Sequence, residues 1–219
     1  MVFIGFLGWL TFALAIISVL PFIGRHYKIP SESMAPTINA GEFIYSFNLG
    51  YSFFGSIRPQ RGKLYTFKGG QNNFTYISRL IGLPGDEIQV WNGRLYINGV
   101  ISSREFVDTY RYKTKYGKIV KVQLYKEDIH HGVSEYFIYE TTDKGPLDST
   151  NTFKVPEGHL FFMGDNRDNS ADSRISNRGM GYVPIENVKG VVKRVLFSTK
   201  PCKADEELYC PPRRFMQKL

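Results

Sequence analysis

The first 24 residues (MVFIGFLGWLTFALAIISVLPFIG) contain no ionisable side chain, whereas all 28 Lys and Arg and all 20 Asp and Glu lie beyond them. At about 1.5 Å per residue, a helix of this length crosses a hydrocarbon core of ~30 Å. Trp9 and Pro21 are tolerated in such a helix. A cleavable signal peptide would need a basic start, a shorter apolar stretch and a small-x-small cleavage site. No Lys or Arg precedes the run, and Arg25-His26-Tyr27-Lys28 follows it. Residues 1–24 therefore read as a retained single-pass transmembrane anchor.

No second uncharged run approaches spanning length, which excludes a polytopic membrane protein. The chain is 42% hydrophobic and 15% aromatic, so the remainder is expected to fold rather than stay disordered. Arg25 and Lys28, just past the span, favour a cytoplasmic domain by the positive-inside rule, a rule that weakens before a long domain.

Beyond the anchor the signals are strands. Short aromatic and β-branched runs occur at Phe43–Phe47, Leu64–Phe67, Thr75–Leu83, Glu87–Trp91, Leu95–Ile97, Val120–Tyr125, Tyr136–Tyr139, Leu160–Met163 and Val191–Phe197. Asn92-Gly93 and Asn98-Gly99 supply the two positive-φ residues of type I′ hairpin turns. Leu83-Pro84-Gly85-Asp86 suits a tight turn with φ > 0 at Gly85. Helical periodicity is absent outside the anchor, so the domain is expected to be mainly β.

Residues 102–152 differ in texture. Arg104 to Lys126 holds seven basic and two acidic side chains among Tyr110, Tyr112, Tyr116 and Tyr125. Such a mixture suits a nucleic-acid surface. The alternation of Val120, Val122 and Leu124 with Lys121, Gln123 and Tyr125 better fits a half-solvated strand, and no nucleic-acid partner is expected. The division expected is an anchor at 1–24, a β core at 25–101 and 153–200, an inserted β subdomain at 102–152 and a tail at 201–219. His130-His131 beside Glu127-Asp128 does not make a convincing metal site, because adjacent residues of a strand point to opposite faces. Neither metal nor cofactor is expected. Gly69-Gly70 reads as a hairpin turn. Cys202 and Cys210 are the only cysteines; they form a disulfide if the domain is exported and are free thiols otherwise.

Two segments depart from strand-and-turn composition. One is Ile29-Pro30-Ser31-Glu32-Ser33-Met34-Ala35-Pro36-Thr37-Ile38; the other is Met163-Gly164-Asp165-Asn166-Arg167-Asp168-Asn169-Ser170-Ala171-Asp172-Ser173-Arg174. The alternation of Asp with Arg in the second suggests a fixed hydrogen-bonded network. With Glu42, Arg61-Gly62, Tyr76-Ile77-Ser78-Arg79-Leu80-Ile81-Gly82-Leu83-Pro84-Gly85-Asp86 and Gly181-Tyr182-Val183-Pro184, the chain resembles type I signal peptidases. These are membrane-anchored serine endopeptidases of mainly β fold that remove signal peptides from exported preproteins.

The resemblance implies a single-pass protein of the inner (cytoplasmic) membrane with its catalytic domain on the outer or periplasmic face, which overrules the local charges. Its implied partners are the signal peptides of exported preproteins and the lipid bilayer. It implies Ser33 as nucleophile, Ser31 with the Ser33 N–H as oxyanion hole, and Ser170 as the residue orienting the base. Arg79, Asp165, Arg167, Asp172 and Arg174 resemble the structural ion-pair network, with Asp172 closest to the site. Ser33 lies ten residues after Ile23, at most ~35 Å of extended chain from the bilayer.

One position departs from the family pattern. Ser78 stands where the family has the general-base lysine of its Ser–Lys dyad. A serine hydroxyl is too weak a base to activate another hydroxyl. Three expectations follow: an impaired homologue that binds signal-peptide segments or acts as an accessory protein; an enzyme borrowing Lys63, Lys68 or His159; or one supplied with a base from outside the chain. A specialised maturation peptidase acting on pilin-type substrates is a further alternative.

Overall fold

A computed structural model describes residues 24–48, 59–69, 74–114, 116–129, 134–175, 180–199 and 208–219. The expected anchor lies outside these residues, except for Gly24, which opens the first strand. Among the described residues no helix is long and apolar enough to cross a membrane. Gly70 of the expected Gly69-Gly70 turn and the His130-His131 pair also fall outside them.

The described chain is mainly β. Its strands are β1 (Gly24–Lys28), β2 (Glu42–Asn48), β3 (Leu64–Gly69), β4 (Phe74–Gly82), β5 (Glu87–Trp91), β6 (Arg94–Ile97), β7 (Val100–Ile101) and β8 (Ser103–Lys113). They continue as β9 (Ile119–Asp128), β10 (Glu135–Glu140), β11 (Phe153–Lys154), β12 (His159–Met163), β13 (Val183–Pro184), β14 (Val188–Ser198) and β15 (Phe215–Lys218). The largest sheet runs β1-β2-β14-β3-β4-β12-β13, with β15 also paired to β14. Strands β10-β9-β8 form a second sheet and β11-β5-β6-β7 a third.

The meander from β5 to β7 follows from its turns. Asn92 and Gly93 have φ of 48° and 69°, and Asn98 and Gly99 have 54° and 77°, as type I′ geometry requires. At the β4–β5 corner Gly85 has φ of 86°, and Asp86 N donates to Leu83 O at 3.0 Å. The Asp86 carboxylate accepts from Leu83 N (2.5 Å) and Asn98 Nδ2 (2.8 Å) and pairs with Arg61 at 2.8 Å. Arg61, Asp86 and the two turns are thereby one unit.

Strand β4 organises the interior because its alternate residues enter different clusters. Tyr76 and Leu80 join Tyr65, Phe67, Leu160, Phe162, Val183 and Val191. Ile77 packs with Ile29, Met34, Ile38, Ile44 and Leu64, whereas Ile81 packs with Ile88, Leu95, Ile138 and Phe161.

Strand β14 is long enough to serve two partners along one edge. Its first half pairs with β3, and its second half pairs with β15. Arg214, just before β15, is held by the Glu42 carboxylate through both Nε (2.8 Å) and Nη2. Its Nη1 donates to Thr37 O at 2.9 Å. Cys210 is disulfide-bonded; the chain's other cysteine, Cys202, lies outside the described residues.

Candidate active site

Ser31 and Ser33 lie on a turn-rich loop between β1 and β2. Within it Ala35 N donates to Glu32 O (3.0 Å) and Ile38 N to Met34 O (2.8 Å). Met34 and Ile38 are buried beside Leu64 and Val195. Ala35 packs on Val122, Leu124 and Tyr139 of the second sheet. These apolar anchors leave the intervening polar residues only partly buried. Ser31 Oγ lies 3.1 Å from Ser33 Oγ.

Asn166 grips the same loop from the other polar segment. Its N–H donates to Ser33 O at 3.0 Å and its Nδ2 to Glu32 O at 3.0 Å. Gly164 explains how the segments come so close. A Cβ built there would meet Ser33 O at 2.6 Å and Ser170 Cβ at 2.5 Å, with Ser170 Oγ closer still. Only glycine lets the Ser33 loop and Ser170 converge over this strand end.

Ser78 belongs to that convergence. Phe162 pairs with Leu80 and Met163 with Arg79, so Ser78 is the next residue of β4 past the last rung, toward the end of β12 from which Gly164 leads. Side chains alternate, so Ser78 shares a face with Leu80 and Phe162. Ser170 lies where a Gly164 Cβ would point. Across the other edge of β4, Tyr65 pairs directly with Ser78. Ser78 is 1% exposed. The Tyr65 phenol accepts from Gln60 N at 2.9 Å, and burial raises its pKa above the ordinary tyrosine value, which keeps it protonated.

Of the alternative bases named from the sequence, Lys68 and His159 stand elsewhere. Lys68 pairs with Thr75, three residues from the Tyr65–Ser78 rung and with opposite parity. Lys63 is exposed, its carbonyl accepting from Leu80 N at 2.9 Å. His159 pairs with Pro184 at the far end of β12, its Nδ1 3.0 Å from Glu157 O. Lys68 thus faces away from Ser78, and His159 is four residues, roughly 13 Å of strand, from Met163.

Arg79, next to Ser78, faces the other way into a saturated network. Its Nε and Nη2 donate to the two Asp165 oxygens at 2.7 and 2.5 Å, and its Nη1 donates to Gly62 O at 2.7 Å. Its guanidinium lies 3.9 Å from the Tyr136 ring centroid, and Thr37 donates to Asp165. Asp172 takes Arg174 in a fork with both bonds at 2.9 Å, and also accepts from Gly164 N at 3.0 Å. Arg174 Nη2 donates to Arg167 O at 2.6 Å.

Arg167 completes the set with a partner the sequence did not disclose. It forks onto Glu127 of β9, Nη1 to Oε1 being 3.1 Å, and Tyr136 OH donates to the same carboxylate at 2.7 Å. Burial opposes the Glu127 charge, but Arg167 and the Tyr136 hydroxyl outweigh it and lower its pKa below the ordinary carboxylate value. Desolvation likewise opposes the Arg79 charge, while Asp165 keeps it firmly protonated. Three buried bidentate pairs therefore fix the geometry around Gly164.

The five network residues, Ser31, Ser33, Ser78 and Ser170 are thus gathered around one strand end. Asn166, Gly164, Thr37, Arg214 and Glu127 were not singled out beforehand. For Asn166 and Gly164 the only available signal was membership of the dense polar segment. For Glu127 none existed, since it and Arg167 are 40 residues apart.

Comparison with known proteins matches residues 4–197 to the family described as signal peptidase, peptidase S26. A signal peptidase I of Rickettsia typhi is 35% identical over 215 residues, covering 87% of this chain and 78% of that one. A signal peptidase I of Rickettsia conorii is 35% identical over 219 residues, covering 88% and 79%. A solved signal peptidase I from Enterococcus faecalis is 30% identical and covers 62% of this chain and 97% of its own, with a TM-score of 0.36. The family match spans most of the chain and the relatives are aligned over more than two thirds of their length; the chain belongs to the signal peptidase family, peptidase S26.

Proposed function

We propose that this chain binds the signal peptides of exported preproteins at the Ser33 loop and cleaves them as a serine endopeptidase whose rate is limited by the missing amine at Ser78. Ser33 is the nucleophile. Its N–H and the Ser31 hydroxyl, 3.1 Å from Ser33 Oγ, stabilise the charge that develops on the scissile carbonyl oxygen. Ser170 faces the position an amine would occupy. Arg79, Asp165, Arg167, Asp172 and Arg174 hold the site in shape.

The observation that supports this reading is the convergence over Gly164, where the Ser33 carbonyl and Ser170 meet at the end of the strand paired with β4. On this reading the group the site lacks is the proton acceptor. A serine cannot take the proton from Ser33 at neutral pH. Loss of the base costs about 10³–10⁶ in rate in serine proteases. Residues 1–24 serve as the membrane anchor, with residues 25–101 and 153–200 as the outward-facing catalytic core. Residues 102–152 are the insertion, and 201–219 the tail.

Cleavage of a preprotein by the full chain in detergent tests the assignment. Ser78→Lys is expected to raise the rate by about 10³ or more, and Ser33→Ala to abolish cleavage in either background. A well-folded Ser78→Lys protein that cleaves no faster than wild type would overturn the role of residue 78. Wild-type cleavage that survives Ser33→Ala would overturn the nucleophile.

A further inference from the structure

Beyond the Ser33 site, three carboxylates meet where β10 ends and the polar segment turns. Glu140, Asp148 and the Asp168 side chain each place an oxygen within 4.8 Å of the other two. They come from three separate stretches: the last residue of β10, the loop that follows, and a single 3-10 turn at Arg167–Asn169. Glu140 is 2% exposed and Asp148 1%.

Glu140 and Asp148 each have one oxygen engaged and one left over. Asp168 Oδ2 accepts from Thr141 N (2.7 Å) and Thr142 N (3.1 Å). Asp148 Oδ2 accepts from Gly145 N at 2.6 Å. Glu140 Oε1 faces Arg104 Nη1 at 3.9 Å. The remaining atoms, Glu140 Oε2 and Asp148 Oδ1, are sealed from solvent and take no hydrogen bond. An orphaned buried carboxylate oxygen is costly, and two of them in one cluster demand an occupant.

The neighbouring arginines do not fill that need. Arg104 is forked onto Asp143 with both bonds at 3.0 Å, Arg167 onto Glu127, and Arg174 onto Asp172. Each of these cations is forked onto another carboxylate, and Arg104 reaches Glu140 only at 3.9 Å. The mutual repulsion and burial of the three acids show in Glu140, whose pKa is pushed up to about 9, chiefly by burial and further by Asp168 and Asp148.

We propose that Glu140, Asp148 and Asp168 bind a calcium ion. The donors are all oxygen, as hard cations require, and no thiol or imidazole belongs to the set. Calcium accepts irregular shells of six to eight oxygens, whereas magnesium demands a near-ideal octahedron; three carboxylates brought together from three separate stretches suit the more tolerant ion. Water completes the shell. The ion ties the loop after β10 to the turn that leads into Ser170, and so braces the segment opposite Ser33 from behind. The proposal stands on this cluster and is independent of whether the Ser33 site turns over.

The test is a calorimetric titration of the full chain in detergent with calcium chloride after chelator treatment, alongside thermal melts with and without calcium. Saturable binding of one ion with a raised Tm is expected, with both effects lost in Asp148→Asn and in the less buried Asp168→Asn, each checked for fold by circular dichroism. Absence of binding and of any Tm shift at millimolar calcium overturns the proposal. So does full calcium binding by a folded Asp168→Asn or Asp148→Asn protein, or tighter binding of magnesium than calcium. A wild-type protein indifferent to calcium while Glu140→Gln is stabilised in metal-free buffer would show a shared proton in the ion's place, and would also overturn it.

Discussion

Ser78 and Arg79 are neighbours on β4, yet they stand in opposite situations. Arg79 turns toward Asp165, Gly62, Thr37 and the Tyr136 ring, and its hydrogen-bonding groups are engaged. Ser78 turns to the face of Tyr65 and Leu80, and offers a short hydroxyl where the proposed mechanism calls for a long amine. One face of a single strand is fully braced, and the other, on the proposed function, lacks its working group. The architecture of the site and its proton chemistry are thus separable: the ion pairs hold the loops whether or not a base is present.

That separation can be broken experimentally, beginning with the largest effect. Restoring the amine in Ser78→Lys is expected to change turnover by about 10³ or more, near 4 kcal/mol of barrier, with little change in far-ultraviolet dichroism. A mutant that gains nothing while keeping its fold would mean that the two faces are not independent. On the braced face, Asp165→Asn leaves Arg79 buried without its counter-charge. A loss of about 3–5 kcal/mol in denaturant unfolding is expected, whereas Ser78→Ala is expected to cost about 1 kcal/mol or less. Equal losses at the two positions would erase the contrast.

Gly164→Ala probes the hinge between the faces. The added methyl meets Ser33 O and the Ser170 side chain, so an overpacking cost of about 1–3 kcal/mol is expected. In the Ser78→Lys background it should also lower kcat more than it raises KM, because it displaces Ser33 and Ser170 from one another.

The smallest effect concerns pH. The Glu127 carboxyl titrates below its ordinary value of 4.5 in the folded protein. Its contribution is therefore fully present above that value and is lost as pH falls through the lower folded pKa. Wild-type stability should fall more steeply under acid than that of Glu127→Gln; parallel curves would show that Arg167 does not hold this charge.

The parts legible in the sequence were those governed by neighbours in the chain. Asn92-Gly93, Asn98-Gly99 and Leu83-Pro84-Gly85-Asp86 announced their turns because positive φ is a local demand. Glu87–Trp91 was read to the residue, and Phe43–Phe47 and Leu160–Met163 to within a residue at each end. Strand β8 was not anticipated because it exposes side chains on both faces along most of its length, which removes the alternation that marks a strand. Strand β15 was equally silent, since all four of its residues are exposed.

The site divided along the same line. Ser31 and Ser33 are two residues apart, and Asp172 and Arg174 likewise, so their contacts were within reach of a linear reading. The Arg167 partner sits in the segment that composition marked as solvated, where nothing local distinguishes Glu127 from its half-buried neighbours Lys126 and Asp128. The offset of Lys68 from Ser78 also depended on register, which spacing alone does not reveal.

The grip of Arg214 on Glu42 and on the Thr37 carbonyl gives the molecule an order of assembly. Thr37 leaves the ribosome 177 residues ahead of Arg214, an interval of roughly 10–35 s at ordinary rates of synthesis. The serine loop is threaded out well before its fastening is made. A nascent chain therefore carries Ser33 without this clasp until Arg214 has followed it out.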